Sequence, residues 1–119
     1  RALVRLMVTG SGMDAESAEL VMEHFDSREA IVGGLNWYRG ADPTDAAGLG
    51  PITMPTLYIW STEDIALGRT AAEATEGFVD GPYEFVVLDG VSHWVPEEAA
   101  GAVVDRLLGH LTKAGQGTR

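Results

Sequence analysis

Over roughly the first fifty residues, apolar positions recur at helical spacing between polar ones. Ser11 or Asp14 is placed to cap a helix that carries Ala18, Leu20, Val21, Met22 and Phe25. Its acidic Glu16 sits near the N-terminal end, where the helix dipole favours negative charge. After Ser27 a second helical stretch has Ile31, Leu35 and Tyr38 spaced four and three apart, so they share one face. Arg39-Gly40-Ala41-Asp42-Pro43 breaks that helix, and a loop rich in Gly, Pro and Asp leads to Pro51.

From Ile52 the pattern changes. Thr56-Leu57-Tyr58-Ile59-Trp60 is a short apolar run of β-formers bounded by Pro55 and Ser61-Thr62, which predicts a buried strand. Gly68 precedes a helical segment from about Arg69 to Phe78. The turn Asp80-Gly81-Pro82 then leads into a second strand, Tyr83-Glu84-Phe85-Val86-Val87-Leu88, ending at Asp89-Gly90. Pro96-Glu97-Glu98 opens a last helix with Pro in its first turn. That helix bears an apolar stripe of Val103, Leu107 and Leu111, and the tail from Thr112 to Arg119, lacking an apolar anchor, is expected to fray.

Strand, helix, strand, helix at this spacing implies an α/β fold with a βαβ unit. Its two strands run parallel and its crossover is right-handed. Such a unit delivers the loops that follow the two strands, 61–68 and 89–95, to one edge of the sheet. That carboxyl-end edge is where open α/β sheets hold their ligands. Asp64 lies in the first loop and His93 in the second.

Composition narrows the chemistry. A net charge of −10, from 18 acidic against 8 basic residues, disfavours nucleic acid or an anionic membrane as partner. The absence of cysteine excludes disulfides, thiolate nucleophiles and cysteine metal sites. His24, His93 and His110 show no metal-ligand spacing, and neither a metal nor a cofactor is implied. No apolar run approaches the ~20 residues that span a bilayer, and no signal segment opens the chain. The expectation is a cytoplasmic protein. The chain starts at Arg1 rather than a methionine, so it is expected to be a piece of something longer.

A histidine works as a base only when its tautomer and orientation are fixed, and a carboxylate on the far ring nitrogen does both. The topology makes Asp64 and His93 candidates for such a pair. It leaves the plainer alternatives open, a turn or helix cap for the acid and a surface position for the histidine.

Residues Met54-Pro55-Thr56-Leu57-Tyr58-Ile59-Trp60-Ser61-Thr62-Glu63-Asp64 and Val87-Leu88-Asp89-Gly90-Val91-Ser92-His93-Trp94-Val95-Pro96-Glu97-Glu98 resemble the C-terminal section of the α/β-hydrolase superfamily. The likeness is to its epoxide hydrolase and haloalkane dehalogenase branch, and it spans about residues 51 to 111. There, Pro-Thr-Leu, an apolar strand and an acid form the acid loop, and Gly-x-x-His-(Trp or Phe)-x-x-(Glu or Gln) forms the histidine loop. The resemblance implies that Asp64 is the acid of a catalytic triad and His93 its base, with Glu63 the nearest rival acid. Ser61 stands where the family commonly has Gly. Leu35-Asn36-Trp37-Tyr38-Arg39 is similar to the segment closing the helical cap of soluble epoxide hydrolases. In those enzymes a cap tyrosine donates a hydrogen bond to the epoxide oxygen, and Tyr38 occupies the corresponding position. By that resemblance residues 1–50 are the end of a helical cap and 51–119 the C-terminal strand-helix-strand-helix part of the hydrolase core.

The family's nucleophile elbow, Gly-x-(Ser or Asp)-x-Gly, and its His-Gly oxyanion loop do not occur. The resemblance therefore implies a hydrolase of a small apolar substrate whose nucleophile lies upstream, in an N-terminal half on the same or a separate chain. The isolated chain is expected to be inactive, and oligomerisation is left open. The alternatives are a serine esterase or haloalkane dehalogenase of the same fold, or a non-catalytic module that needs a partner half.

Overall fold

The computed structural model describes residues 2–42, 44 and 48–116. The described parts of residues 1–10 and 14–50 form one compact unit, and those of residues 11–13 and 51–119 another.

The first unit is helical: α1 (Ala2–Gly10), α2 (Ala15–His24) and α3 (Arg28–Gly40). Asp14, not Ser11, caps α2, its carboxylate accepting from the amides of Glu16 at 2.9 Å and Ser17 at 3.0 Å. Ser27 caps α3 by accepting from the Ala30 amide at 3.1 Å. Val8, Ala18 and Met22 form the buried core, and Arg5 on α1 pairs with Glu19 on α2. The expected stripe on α3 forms but stays largely uncovered, with Leu35 and Tyr38 exposed and no residue of the helix fully buried. Gly34 admits the ring of Phe25, which a Cβ would meet at 3.1 Å. The helix ends at Gly40; Pro43, read above as part of its breaker, lies outside the described residues.

The second unit is α/β. Strand β1 (Thr56–Glu63) pairs in parallel with β2 (Tyr83–Ser92), from Thr56 opposite Tyr83 to Ser61 opposite Leu88. Between them run α4 (Arg69–Ala74) and a 3₁₀ turn (Thr75–Phe78). After β2 come a single turn, α5 (Val95–Glu98), and the long α6 (Ala100–Gln116), which packs against β1. The tail departs from the expectation as far as it is described, residues 117–119 lying outside the described residues. Helix α6 continues through Thr112 to Gln116, with Lys113 bonded to Glu84 at 3.3 Å.

Both strands extend past their apolar runs into polar sequence. Pairing continues because a strand is held by backbone hydrogen bonds whatever its side chains. Beyond Ser61 the register slips: Glu63 stands opposite Ser92, so two positions on β1 face four on β2. The two surplus residues bulge, and Gly90 takes a φ of +69°, a conformation that glycine adopts without steric cost.

Trp60, Val86, Ala72 and Met13 supply the buried apolar core of this unit. Two strands cover little, however. Of the stripe predicted on α6, Val103 is half-buried while Leu107 and Leu111 remain exposed. No helix among the described residues is long and apolar enough to cross a membrane.

Candidate active site

At the carboxyl end of β1 the chain turns sharply, the Asp64 amide donating to the Ser61 carbonyl at 3.3 Å. The side chain of Asp64 then organises the loop. Its Oδ1 accepts from the amides of Ala66 at 2.8 Å and Leu67 at 2.9 Å, a local turn that an aspartate is suited to make. The loop is tied back to the strand by the Trp60 indole N–H, which donates to the Leu67 carbonyl at 2.8 Å. The Arg69 guanidinium lies 4.9 Å over the Trp60 ring, a cation–π contact that holds the start of α4 to the same strand.

The second loop leaves β2 through its bulge. Thr62 braces that bulge from β1, donating to Asp89 Oδ1 at 3.1 Å and accepting the Gly90 amide at 2.8 Å. Three residues past Gly90, His93 turns its ring toward Asp64. Nδ1 lies 3.0 Å from both Oδ1 and Oδ2, so one N–H is shared between two carboxylate oxygens. The Asp64 side chain is 5% exposed and that of His93 33%, an arrangement with the carboxylate behind and the imidazole in front. Trp94 meets the imidazole edge-on, with centroids 5.5 Å apart.

The topology and the structure agree that these two loops meet, and the structure adds how closely. Asp64 and His93 share a cleft of about 280 Å³ with Tyr58, Trp60, Val95 and Val103. A slightly larger cleft of about 330 Å³ lies at the amino ends of the strands, between Pro55, Tyr83 and His110, and contains neither residue of the pair. Glu63 is exposed and is matched through its backbone to Ser92, so Asp64 is the acid that faces the imidazole. Tyr38 belongs to the helical unit, on α3, with 78% of its surface exposed. Among the described residues no group of three or more His, Asp or Glu side chains is arranged to hold a metal ion.

Burial by itself would push the Asp64 carboxyl up. The His93 hydrogen bond, the Leu67 and Ala66 amides and the nearby imidazole charge outweigh it, so its pKa falls below the ordinary 3.8. A depressed value means that folding favours the carboxylate. That contribution is present in full above the unfolded-state pKa and is lost as pH falls through the lower, folded one. Titration of the Asp64 carboxyl carbon by NMR is expected to give a midpoint below 3.8, and His93→Phe is expected to raise it. An unmoved midpoint in the variant would mean that the imidazole does not hold the carboxylate.

The sequence does not show what three residues around His93 do, although Ser61 stands out in it where the family commonly has Gly. Ser61, fully buried, donates from Oγ to the Ser92 carbonyl at 2.6 Å. Ser92 gives its amide to Glu98 Oε2 at 2.9 Å and its hydroxyl to Glu98 Oε1 at 2.5 Å. Ser61 carries no spacing signal. Glu98 was hidden because an acid in a first helical turn already has a sufficient reason to be there.

No family model matches the chain. It is 34% identical over 110 residues to Epoxide hydrolase A of Mycobacterium tuberculosis (strain ATCC 25618 / H37Rv), an alignment covering 86% of this chain and 34% of that protein. It is 33% identical over 90 residues to an epoxide hydrolase of Caballeronia sordidicola, covering 71% and 27% respectively. Mouse Epoxide hydrolase 4 is 27% identical over 89 residues, covering 75% and 25%. The crystal structure of Epoxide Hydrolase A from Mycobacterium thermoresistibile superposes with a TM-score of 0.69 at 33% identity, over 84% of this chain and 32% of that one. The chain thus spans about a third or less of the length of the proteins it matches.

Proposed function

Because this chain belongs among the epoxide hydrolases of the α/β-hydrolase superfamily, of which it spans a part, we propose that it is their C-terminal portion and supplies the acid and base of an epoxide-opening hydrolase. A carboxylate nucleophile, contributed by residues outside this chain, attacks an epoxide carbon of a small apolar substrate. The carbon–oxygen bond of the ring breaks, and Tyr38 gives the departing oxygen a hydrogen bond and then its proton. An ester joins substrate and enzyme. His93 next takes a proton from water through Nε2 and the hydroxide attacks the ester carbonyl. As the acyl–oxygen bond breaks, the diol leaves with the acid's proton, the carboxylate is regenerated, and the proton held by His93 passes on to restore Tyr38. Asp64 holds the proton of His93 on Nδ1, which keeps Nε2 as the acceptor, and stabilises the imidazolium that forms.

The observation that carries this reading is the bifurcated contact of His93 Nδ1 with both Asp64 oxygens at 3.0 Å. A surface histidine has no need of a nearly buried carboxylate behind it. The test is diol formation from a small aryl epoxide by the full-length gene product that carries this chain. Tyr38→Phe is expected to slow ring opening about 100-fold, the cost of removing one donor from a developing oxyanion. A variant that opens the ring at the parent rate takes Tyr38 out of the mechanism, and a parent that yields no diol removes the epoxide reading.

A further inference from the structure

We propose that Glu98 is a positioning residue for His93, acting through Ser92 as the clasp of a closed loop that fixes where the imidazole stands. This inference rests on the hydrolase reading for its kinetic consequences but not for its geometry. Residues 92 to 98 form a hoop with His93 immediately inside its first post. Both oxygens of the Glu98 carboxylate are used on that post, one taking the Ser92 amide at 2.9 Å and the other its hydroxyl at 2.5 Å. Hydrogen bonds to an ionised acceptor are the stronger kind, and two of them to one residue fix its orientation as well as its position. The Ser92 hydroxyl in turn accepts the Trp94 amide at 3.2 Å, so the peptide groups on both sides of His93 are tied to one network.

Ser92 is anchored from two further directions. The Ser61 hydroxyl, on β1, donates to the Ser92 carbonyl at 2.6 Å. Gly12 presses against its side chain so closely that a Cβ there would stand 2.4 Å from the Ser92 Cβ. The short segment that contains Gly12 is itself held to the loop, since the Trp94 indole donates to Ser11 Oγ at 2.8 Å. With Asp64 fixing only the ring and this clasp fixing the backbone that carries it, His93 has little freedom to swing. An imidazole displaced by about 1 Å would cost on the order of 100-fold in rate, because proton transfer demands a near-attack geometry.

The experiment compares Glu98→Ala, Glu98→Gln and Ser61→Ala in the full-length gene product. For Glu98→Ala we expect kcat to fall at least tenfold with KM within a factor of two, and the downfield proton resonance of the His93 Nδ1–H to broaden or shift. Glu98→Gln, which keeps one acceptor in place, recovers most of both. Ser61→Ala gives the same signature from the other side of Ser92. A Glu98→Ala protein with the parent's kcat and resonance overturns the proposal. So does a loss of activity that merely tracks the loss of folded protein, with the resonance of the folded fraction unmoved. Should the parent hydrolyse no epoxide, the hydrolase reading fails, and the resonance alone decides for or against the clasp.

Discussion

His93→Gln in the full-length gene product is expected to stop turnover while leaving the first chemical step intact. Attack of a carboxylate on an epoxide needs no base, so the ester still forms. Its hydrolysis does need one, and Gln cannot take a proton from water. One equivalent of substrate should therefore remain attached to the enzyme, visible as a mass increase equal to that of the epoxide. Steady-state diol formation should fall by about 10⁴-fold or more, as in other triads deprived of their histidine. Gln reaches a similar distance to Asp64 and keeps a donor toward it, so the fold has little reason to change. Turnover at the parent rate, or loss of turnover without a trapped adduct, would show that His93 does not activate water.

The second large effect belongs to Asp64→Asn, and its size follows from which oxygen does what. Oδ1 accepts two backbone amides, from Ala66 and Leu67, as well as facing His93. In the variant the amide oxygen must stay with those two donors, which puts the new NH₂ group in the place of Oδ2. That group donates to Nδ1 instead of accepting from it. The imidazole proton is forced onto Nε2, the nitrogen that has to receive one. We expect kcat to drop about 10⁴-fold, the cost of the wrong tautomer in an acid–histidine pair, with the unfolding midpoint close to the parent's. A decrease below tenfold would mean that the orientation of His93 does not depend on this carboxylate.

Much of this site was legible in the sequence because it follows from topology. Two apolar β-runs separated by a helical segment must lie parallel in one sheet, and that alone brings the loops carrying Asp64 and His93 to the same edge. Helices α2 and α3 were legible for a similar reason, since Asp14 and Ser27 announce their first turns. What could not be read is what polar residues do at close range. The strands run on to Glu63 and Ser92 because backbone pairing does not consult side-chain character, and the bulge at Gly90 has no periodicity to betray it. Ser61 and Glu98 are ordinary residue types in ordinary places. Only folding brings both of them to Ser92. The exposure of Leu107 and Leu111 also escaped, because a stripe records which face of a helix is apolar and not whether a neighbour reaches it.

The slipped register between β1 and β2 has a consequence of its own. The carboxylate stands one residue past the end of one strand and the imidazole one residue past the end of the other, so their separation reports the alignment of the two strands as a vernier does. Sliding one strand by a single residue would shift one partner by about 3.3 Å, beyond the reach of any hydrogen bond. The pair can therefore form in only one alignment of this sheet, and a misaligned strand that still looked well folded by its helix content would betray itself as a histidine without its carboxylate.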